Sequence, residues 1–190
     1  MKFNEIYKLE LGLDDERSYK ETYGSLHLKT YEIFLQFLSR PSIVLDIGTG
    51  SGYGAELIAK SGHIVYGVDY DQKAILYCNN AYHGDELLHF DCWTVPPLPY
   101  QDGLFDYVVS IDNFEHIPPE QAELYVSEVS RVLAKDGHFF IATPVRCSER
   151  AIKYHRKHWN MEEFRTLLNK YFVEGNFEQI GIYLVALVKK

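Results

Sequence analysis

A glycine-rich stretch with acidic neighbours is the part of this sequence best suited to bind a nucleotide-like ligand. Residues 44–54 read Val-Leu-Asp-Ile-Gly-Thr-Gly-Ser-Gly-Tyr-Gly, where a short apolar run gives way to glycines. Glycines at the end of a strand let the backbone turn tightly and approach a ligand closely. Asp69 ends the next apolar run, where a carboxylate can accept hydrogen bonds from ribose hydroxyls.

Two classes of cofactor fit this stretch. Residues 50–55 match the pattern Gly-x-Gly-x-x-Ala, which is typical of NAD and related dinucleotides. Asp46 precedes the glycines, and an anion at that position would repel a pyrophosphate. The same carboxylate would attract the ammonium and sulfonium groups of S-adenosylmethionine. The acid therefore favours S-adenosylmethionine over a dinucleotide.

A second polar segment, residues 110–118, follows a buried apolar run and includes Glu115 and His116. In a parallel sheet this segment would lie at the carboxyl edge, beside the glycine loop. A histidine side chain can take up and release a proton near neutral pH, so His116 is the best candidate for a general base. Glu115 could orient His116, bind the substrate or act as the base itself. The alternative interpretation is a polar pair that caps the helix starting near Pro118.

The later histidines are not predicted to bind a metal. His155 and His158 lie three residues apart, a spacing compatible with one face of a helix. No carboxylate or cysteine partner completes a ligand set with them in the sequence. We therefore expect no metal site.

Length and charge restrict the partners of the protein. A chain of 190 residues fits one domain and can bury a core without disulfides or a structural metal. A formal net charge of −8 argues against DNA or RNA as the main partner, because phosphate binding needs a basic face. Arg146 and Arg150 could hold an acidic acceptor, although a solvated helix face is the alternative interpretation.

The cysteines and the apolar segments indicate a cytoplasmic protein. The three cysteines, Cys78, Cys92 and Cys147, are an odd number without paired spacing, so they are expected to be reduced thiols. The N-terminal residues do not resemble a signal peptide. No segment approaches the roughly 20 apolar residues that a membrane span needs. We expect a soluble protein that is not bound to a membrane.

These candidate residues need a scaffold of alternating strands and helices. Apolar periodicity predicts helices at 26–40, 55–60, 72–81, 120–133 and 161–170. It predicts strands at 43–47, 63–69, 87–91, 105–111, 137–143, 172–177 and 182–188. Nearly continuous apolar strands separated by helices indicate a mostly parallel sheet covered on both faces.

Five segments, in order, resemble class I S-adenosylmethionine-dependent methyltransferases of the small-molecule type. They are the glycine stretch 44–54, Gly-Val-Asp-Tyr at 67–70, His-Phe-Asp-Cys at 89–92, and the segments 98–110 and 131–141. The resemblance covers about residues 40–190. One departure is Lys-Asp-Gly-His at 135–138, where the family usually has Lys-Pro-Gly-Gly. That turn is structural, so the departure leaves the cofactor site intact.

The resemblance implies a Rossmann-like three-layer α/β sandwich. Its mostly parallel seven-stranded sheet would have the order 3-2-1-4-5-7-6, with strand 7 antiparallel. The whole chain, 1–190, would be one methyltransferase domain with a helical cap or lid at 1–40 and a cofactor-binding core at 41–190. In the cap, His27 with Tyr19 and Tyr23 could line an acceptor pocket or simply pack.

The resemblance also assigns roles at the cofactor site. Asp69 would bind the ribose, Asp91 the adenine amine, and the backbone amide of Cys92 the adenine ring. Tyr70 would lie against the adenine or the ribose, and the backbone around Ser110 and Ile111 would contact the methionine end. The remaining predicted cofactor-binding residues are Asp46, Gly48, Thr49, Gly50, Gly52 and Tyr53.

The sequence predicts a methyltransferase that acts on a hydroxyl or amine of a small molecule. A non-catalytic protein that binds S-adenosylmethionine would carry the same cofactor motifs and is the first alternative. An NAD(P)-dependent oxidoreductase is the second, but Asp46 opposes it. A nucleic-acid methyltransferase is disfavoured by the net charge and by Asp-Asn-Phe-Glu at 112–115, where such enzymes have an Asn/Asp-Pro-Pro-aromatic motif. Neither the acceptor nor the oligomeric state follows from the sequence.

Overall fold

The computed structural model describes residues 23–38, 40–145 and 154–190. Strands and helices alternate along most of the chain. The helices are α1 (Tyr23–Leu35), α2 (Tyr53–Lys60), α3 (Gln72–Ala81), α4 (Ala122–Val132) and α5 (Met161–Leu168), with 3-10 turns at Phe114–His116 and Pro119–Gln121. The strands are β1 (Ile43–Ile47), β2 (Ile64–Asp69), β3 (Leu88–Cys92), β4 (Phe105–Ile111), β5 (Leu133–Pro144), β6 (Glu174–Ile180) and β7 (Tyr183–Lys189).

One seven-stranded sheet has the order β3-β2-β1-β4-β5-β7-β6, as predicted. Strands β1 to β5 pair in parallel, and β7 runs antiparallel to both β5 and β6. The register pairs Ile47 with both Val68 and Ser110. The carboxyl ends of β1, β2 and β4 therefore meet at one edge, where the strand order reverses and α/β folds bind their ligands.

Apolar clusters lie on the two faces of the sheet. One cluster includes Tyr125 and Val129 of α4 and Phe164 of α5. The other includes Phe34 of α1 and Ile58 of α2. Because the strands are buried by helices on both faces, their sequences are nearly continuous apolar runs. The predicted three-layer sandwich is confirmed.

The boundaries differ from the prediction where tertiary pairing overrides the local pattern. The predicted strand at 137–143 begins earlier, at Leu133, because Leu133 pairs with Phe105 before a register shift in β5. Asp136 within that shift has a left-handed φ of 64° and forms an ion pair with Lys189 at 2.8 Å. The expected turn is therefore an irregularity inside a longer strand.

The helices show smaller differences. The predicted helix 120–133 is split into the 3-10 turn Pro119–Gln121 and α4. Helix α1 ends at Leu35 rather than continuing towards residue 40. Asn160 caps α5, since its side chain accepts a hydrogen bond from the Glu163 amide at 2.9 Å. Among the described residues, the helices are too short or too polar to cross a membrane.

Candidate active site

A cavity of about 750 Å³ opens at the carboxyl edge of the sheet. Gly48, Gly50, Asp69 and Tyr70 line one part of it, and Asp112, Asn113, His116, Tyr154, His155 and Arg156 line another. This volume lies within the roughly 300–1,000 Å³ that is typical of small-molecule sites. The glycine loop and the segment after β4 therefore share one cavity, as the sequence predicts.

The glycine loop is tied to β2 by backbone hydrogen bonds and by Asp69. The amides of Gly48 and Thr49 donate to the Val68 carbonyl at 2.8 and 3.1 Å. The two carboxylate oxygens of Asp69 accept from the amides of Gly50 and Asp71, each at 2.9 Å. A carboxylate has about four acceptor positions, so Asp69 keeps capacity to bind ligand hydroxyls.

Gly48 lies so close to the segment after β4 that no side chain fits there. Its φ is +79°, and a Cβ at this position would lie 2.7 Å from the Cγ of Asn113. Asn113 in turn donates to the Tyr125 hydroxyl at 3.1 Å. The backbone is therefore exposed to the cavity at Gly48 because the residue has no side chain.

Asp46 is fully buried rather than exposed to the cavity. Its Oδ1 accepts from the Tyr31 hydroxyl at 2.9 Å and its Oδ2 from the Thr49 hydroxyl at 2.8 Å. Burial raises its pKa from 3.8 to about 6, against the lowering effect of these two hydrogen bonds. In this structure both carboxylate oxygens of Asp46 are hydrogen-bonded within the protein, and the carboxylate is not open to the cavity.

We expect Asp46→Asn to gain stability over the wild type as the pH rises from 4 to 7. Between its ordinary pKa and about 6, the folded chain holds a proton on Asp46 that the unfolded chain has lost, so the free energy of unfolding falls with rising pH. A shift of about two pKa units corresponds to roughly 3 kcal/mol. Asparagine has no proton to lose in this pH range.

Chemical denaturation of the ligand-free protein at several pH values tests this expectation. The exposed Glu86 gives a matched control, and Glu86→Gln should follow the wild-type pH profile. Parallel profiles for Asp46→Asn and the wild type would show that Asp46 does not titrate abnormally.

Glu115 and His116 lie together on the 3-10 turn Phe114–His116. The Glu115 side chain is 1% exposed, and that of His116 is 41% exposed. The Thr143 hydroxyl donates to Oε2 of Glu115 at 2.9 Å, and Oε1 lies 3.8 Å from Nε2 of His116. Burial raises the pKa of Glu115 to about 7.

The capping interpretation of this pair is wrong. The 3-10 turn after Pro118 has no side-chain cap, and α4 begins after Gln121 without one. Glu115 instead points to Thr143 and the histidines, while Nδ1 of His116 lies 3.0 Å from the Tyr154 carbonyl. His116 therefore belongs to the cavity wall, and Glu115 lies buried behind it.

A sequence profile described as a methyltransferase domain matches residues 45–141, just over half of the chain. The chain belongs to the class I S-adenosylmethionine-dependent methyltransferases. Its methyl donor is S-adenosylmethionine.

Curated relatives of this methyltransferase match over part of their length. A probable S-adenosylmethionine-dependent methyltransferase of Mycolicibacterium smegmatis is 38% identical over 103 residues, covering 54% of this chain and 38% of the relative. A ubiquinone biosynthesis O-methyltransferase of Coxiella burnetii is 29% identical over 101 residues, covering 53% and 42%. The chain spans less than half the length of these two relatives.

Solved structures share the fold. A Pyrococcus horikoshii protein aligns with a TM-score of 0.71 at 22% identity, covering 99% of this chain and 100% of that one. Phosphoethanolamine N-methyltransferase 2 of Haemonchus contortus, in complex with S-adenosylmethionine, aligns with a TM-score of 0.70 at 23% identity. That alignment covers 80% of this chain and 38% of the larger one.

The cavity of this methyltransferase fits the donor. Gly48 has no side chain, so a ligand can approach its backbone closely. The carboxylate of Asp69 can accept further hydrogen bonds from ribose hydroxyls, and both residues line the same cavity. The cavity is also large enough for a molecule of this size.

The other predicted cofactor residues lie at different distances from the cavity. Tyr70 lines it and is 78% exposed, so its ring is available for stacking. Asp91 accepts from the Tyr100 hydroxyl at 3.0 Å, and the Cys92 thiol donates to the Tyr70 carbonyl at 3.6 Å. Asp91 and Cys92 are exposed on β3 but are not among the described residues of the cavity wall. Their contacts with adenine stay predictions.

Four predicted residues have structural partners instead of facing the cavity. Gly52, at φ +80°, packs its backbone against Cys78 and Tyr82. The Tyr53 hydroxyl bonds to Nδ1 of His27. Ser110 accepts from the Tyr125 hydroxyl at 2.8 Å, and Ile111 is buried in the core. Ser110 and Ile111 were predicted to contact the donor through their backbone. The positions of their side chains do not test that contact, so it stays a prediction.

Asp112 is a residue of the site to which the sequence alone assigned no role. It lines the cavity with a left-handed φ of 50°, and its Oδ2 accepts from the Tyr183 hydroxyl at 2.6 Å. Its Oδ1 is buried and has no hydrogen-bond partner among the described residues. Burial, and then the nearby Glu115, raise the pKa of Asp112 to about 7. Its position directly after β4, at the carboxyl edge of the sheet, is the feature of the sequence that could have indicated a role in the site.

The prediction that no carboxylate joins His155 is wrong. Nε2 of His155 lies 4.0 Å from Oε1 of Glu115, and Nδ1 of His155 lies 2.8 Å from Nε2 of His158. Glu115 is far upstream in the sequence, so only the tertiary structure brings it to these histidines. Burial, and then His116 and His158, lower the pKa of His155 to about 4.

Proposed function

We propose that this methyltransferase transfers a methyl group from S-adenosylmethionine to a hydroxyl or amine of a small-molecule acceptor. The observation that carries the proposal is that Gly48, Asp69 and His116 all line one cavity. A donor site and a candidate acceptor-activating group are therefore close together. Such proximity can supply roughly 7–11 kcal/mol of the barrier to a reaction between two bound molecules.

The residues around the donor hold and orient it. When bound, S-adenosylmethionine supplies a methyl carbon activated by an adjacent sulfonium. Asp69 binds the ribose hydroxyls through acceptor positions not used by Gly50 and Asp71. Tyr70 covers one side of the adenosyl group, and the backbone of Gly48 approaches the ligand because no Cβ intervenes.

The acceptor is activated by residues of the segment after β4. A hydroxyl acceptor must lose a proton to become a good nucleophile, and a positioned base typically contributes about 10²–10⁴-fold. Nε2 of His116 and Oε1 of Glu115 are the two atoms proposed to act on that proton. Thr143 holds the carboxylate of Glu115, and the Tyr154 carbonyl holds the ring of His116.

Two observations favour a small acceptor. The relatives named above include an O-methyltransferase of ubiquinone biosynthesis and a phosphoethanolamine N-methyltransferase, whose names specify small molecules. The net charge of −8 disfavours nucleic acid. Arg156 lines the cavity and can pair with an acidic group of the acceptor. Arg146 and Arg150, which the sequence suggested for that role, lie outside the described residues, as does Cys147.

Residues 1–40 are proposed to cap the site, and 41–190 to form the core of a single domain. In the described part of the cap, Tyr31 bonds to Asp46, and His27 lies 3.7 Å from Asp112. Tyr19, which could join them, lies outside the described residues. A cytoplasmic location is proposed from the cysteines, of which Cys78 and Cys92 are free thiols.

Thermal unfolding with S-adenosylmethionine, S-adenosylhomocysteine and NAD is the first test. A ligand at 100 times its Kd stabilises the fold by about 2.7 kcal/mol. For a domain of this size, that corresponds to a rise in Tm of roughly 5–10 °C. We expect both adenosyl sulfur compounds to stabilise the protein and NAD to have no effect. Stabilisation by NAD alone would overturn the proposal.

Methyl transfer from S-adenosylmethionine labelled in its methyl group is the second test. A panel of phenols, catechols, sugars and primary amines is incubated with the protein, and labelled products are counted. Transfer to a member of the panel supports the proposal. Binding of S-adenosylhomocysteine without transfer to any of these classes would favour a non-catalytic binding protein instead.

A further inference from the structure

We propose that Glu115, His116 and His155 bind one divalent transition-metal ion in the wall of the cavity. One ligand atom from each of these three residues lies within 4.8 Å of the others. The inference deepens the proposed function and rests on it in one respect, because it specifies how the acceptor is activated at that site. With the ion bound, Oε1 of Glu115 and Nε2 of His116 act on the acceptor through the metal instead of as bases. Binding of the ion itself can be measured without any acceptor.

The separations are close to those of a metal site. Oε1 of Glu115 lies 3.8 Å from Nε2 of His116 and 4.0 Å from Nε2 of His155. Metal–ligand bonds of about 2.0–2.2 Å place two ligands of one ion about 3–4 Å apart. Small rotations of the side chains would therefore bring all three atoms onto one ion.

Each of the three side chains is held by a partner on its other polar atom. Thr143 donates to Oε2 of Glu115, which leaves Oε1 directed to the histidines. Nδ1 of His116 lies 3.0 Å from the Tyr154 carbonyl, and a carbonyl can only accept, so Nδ1 donates and Nε2 carries a lone pair. Such outer hydrogen bonds are the usual means by which proteins orient metal-binding histidines.

His155 is oriented in the same way by His158. Nδ1 of His155 lies 2.8 Å from Nε2 of His158, and in the tautomer in which this Nδ1 donates, the Nε2 of His155 also carries a lone pair. Three electron-rich atoms then lie near one another. A shared cation removes the repulsion among them.

The backbone holds the two parts of the site together without a metal. The carbonyl of Glu115 accepts from the amides of Arg156 and Lys157, at 2.7 and 3.2 Å. These bonds fix the segment that carries His155 against the turn that carries Glu115 and His116. Because the ligands are positioned beforehand, little ordering is needed when an ion binds.

The ligand set selects the class of metal. Two imidazoles and one carboxylate suit Zn²⁺, Fe²⁺ or Co²⁺, whereas Mg²⁺ and Ca²⁺ prefer oxygen ligands. Three protein ligands leave at least one coordination position open, as in catalytic zinc sites. His116 and His155 both line the cavity, so an open position can be reached by the acceptor.

The proposed ion would activate a hydroxyl. The oxygen of the acceptor hydroxyl forms a bond to the metal, its O–H bond breaks, and the proton passes to solvent water. The electron pair stays on the oxygen, which becomes the nucleophile. A bound metal can lower the pKa of water to about 7, and a coordinated alcohol or phenol is acidified by the same effect. The site therefore favours hydroxyl acceptors over amines.

Metal titration tests the site directly. The protein is prepared without a histidine tag, treated with a chelator, and titrated with ZnCl₂ by calorimetry and with CoCl₂ by visible absorption. We expect one Zn²⁺ ion to bind per chain. An excess of Mg²⁺ should not displace it. His158→Ala, which removes an outer partner, should weaken Zn²⁺ binding by about 10–100-fold. His155→Ala should weaken it at least as much, because it removes a ligand.

A surface histidine provides the matched control. His83 is exposed and outside the cavity wall, so His83→Ala should bind Zn²⁺ as the wild type does. The absence of saturable Zn²⁺ binding, or equal affinity in His155→Ala and the wild type, would overturn the proposed site. Stabilisation by S-adenosylhomocysteine is measured on every variant and should be unchanged in His83→Ala.

This parallel measurement separates the two proposals. If Zn²⁺ binding is not saturable but the protein still binds S-adenosylhomocysteine and transfers methyl groups, the metal site is overturned and the methyltransferase function stands. Saturable Zn²⁺ binding that depends on His155 supports the site even if the panel of acceptors gives no product. Methyl transfer that falls in chelator and returns with Zn²⁺ supports both proposals.

Discussion

Glu115→Gln is expected to lower kcat by about 10²–10⁴-fold while the protein still binds S-adenosylhomocysteine. The substitution keeps the size of the side chain and an oxygen that can accept from Thr143. It removes the negative charge next to His116 and His155. Both proposed ways of activating the acceptor, as a base and as a metal ligand, depend on that charge.

The fold should tolerate this substitution. Glu115 is buried and its pKa is raised to about 7, which means that burial disfavours its charged form. A neutral amide at this position avoids that penalty. The Tm of Glu115→Gln should therefore equal or exceed that of the wild type, so a loss of activity cannot be ascribed to unfolding.

Steady-state kinetics with the best acceptor of the panel measure the effect. Glu120→Gln is the matched control, because Glu120 is an exposed acid five positions along the same segment and should keep wild-type kcat. A Glu115→Gln enzyme with kcat within about threefold of the wild type would remove Glu115 from the mechanism.

The strand order of this protein was predictable because its central strands are buried on both faces. The run Phe105–Ile111 is apolar almost throughout and matches β4 end to end. The start of β5 was not predictable, because it depends on the pairing of Leu133 with Phe105. Local pattern shows which residues are buried, whereas the extent of pairing is set by the neighbouring strand.

The candidate site likewise has a part that the sequence predicts and a part that it does not. Asp69, Glu115 and His116 follow strand ends, so their proximity could be predicted from the rule that parallel strands end at one edge. The approach of His155 to Glu115 could not be predicted, because His155 lies eleven residues beyond the end of β5 at Pro144, and no strand end fixes its position. The burial of Asp46 by Tyr31 likewise depends on how α1 packs, which its own sequence does not specify.

Gly48→Ala is expected to weaken S-adenosylhomocysteine binding by about 10-fold or more, or at least about 1.4 kcal/mol. A Cβ at residue 48 would lie 2.7 Å from the side chain of Asn113, so either the loop or Asn113 must move. Asn113 bonds to Tyr125, and the Gly48 amide bonds to the Val68 carbonyl. Each of these movements alters the wall of the cavity.

The same substitution should lower the free energy of unfolding by about 2–5 kcal/mol. An alanine with a left-handed φ costs about 1–2 kcal/mol, and overpacking costs about 1–3 kcal/mol more. Gly62→Ala separates these contributions, because Gly62 has a φ of +90° and a Cβ added there would meet no atom within 4 Å. Gly62→Ala should therefore lose only about 1–2 kcal/mol and bind S-adenosylhomocysteine normally.

Calorimetric titration with S-adenosylhomocysteine and urea denaturation of both variants give the comparison. Equal loss of stability in the two variants would mean that Asn113 gives way easily and that backbone strain alone matters at residue 48. Unchanged affinity in Gly48→Ala would mean that the donor does not approach the backbone there, and the donor would have to be placed along Asp69 and Tyr70 instead. Weakened affinity confined to Gly48→Ala would place the donor between the glycine loop and the segment after β4, within reach of His116.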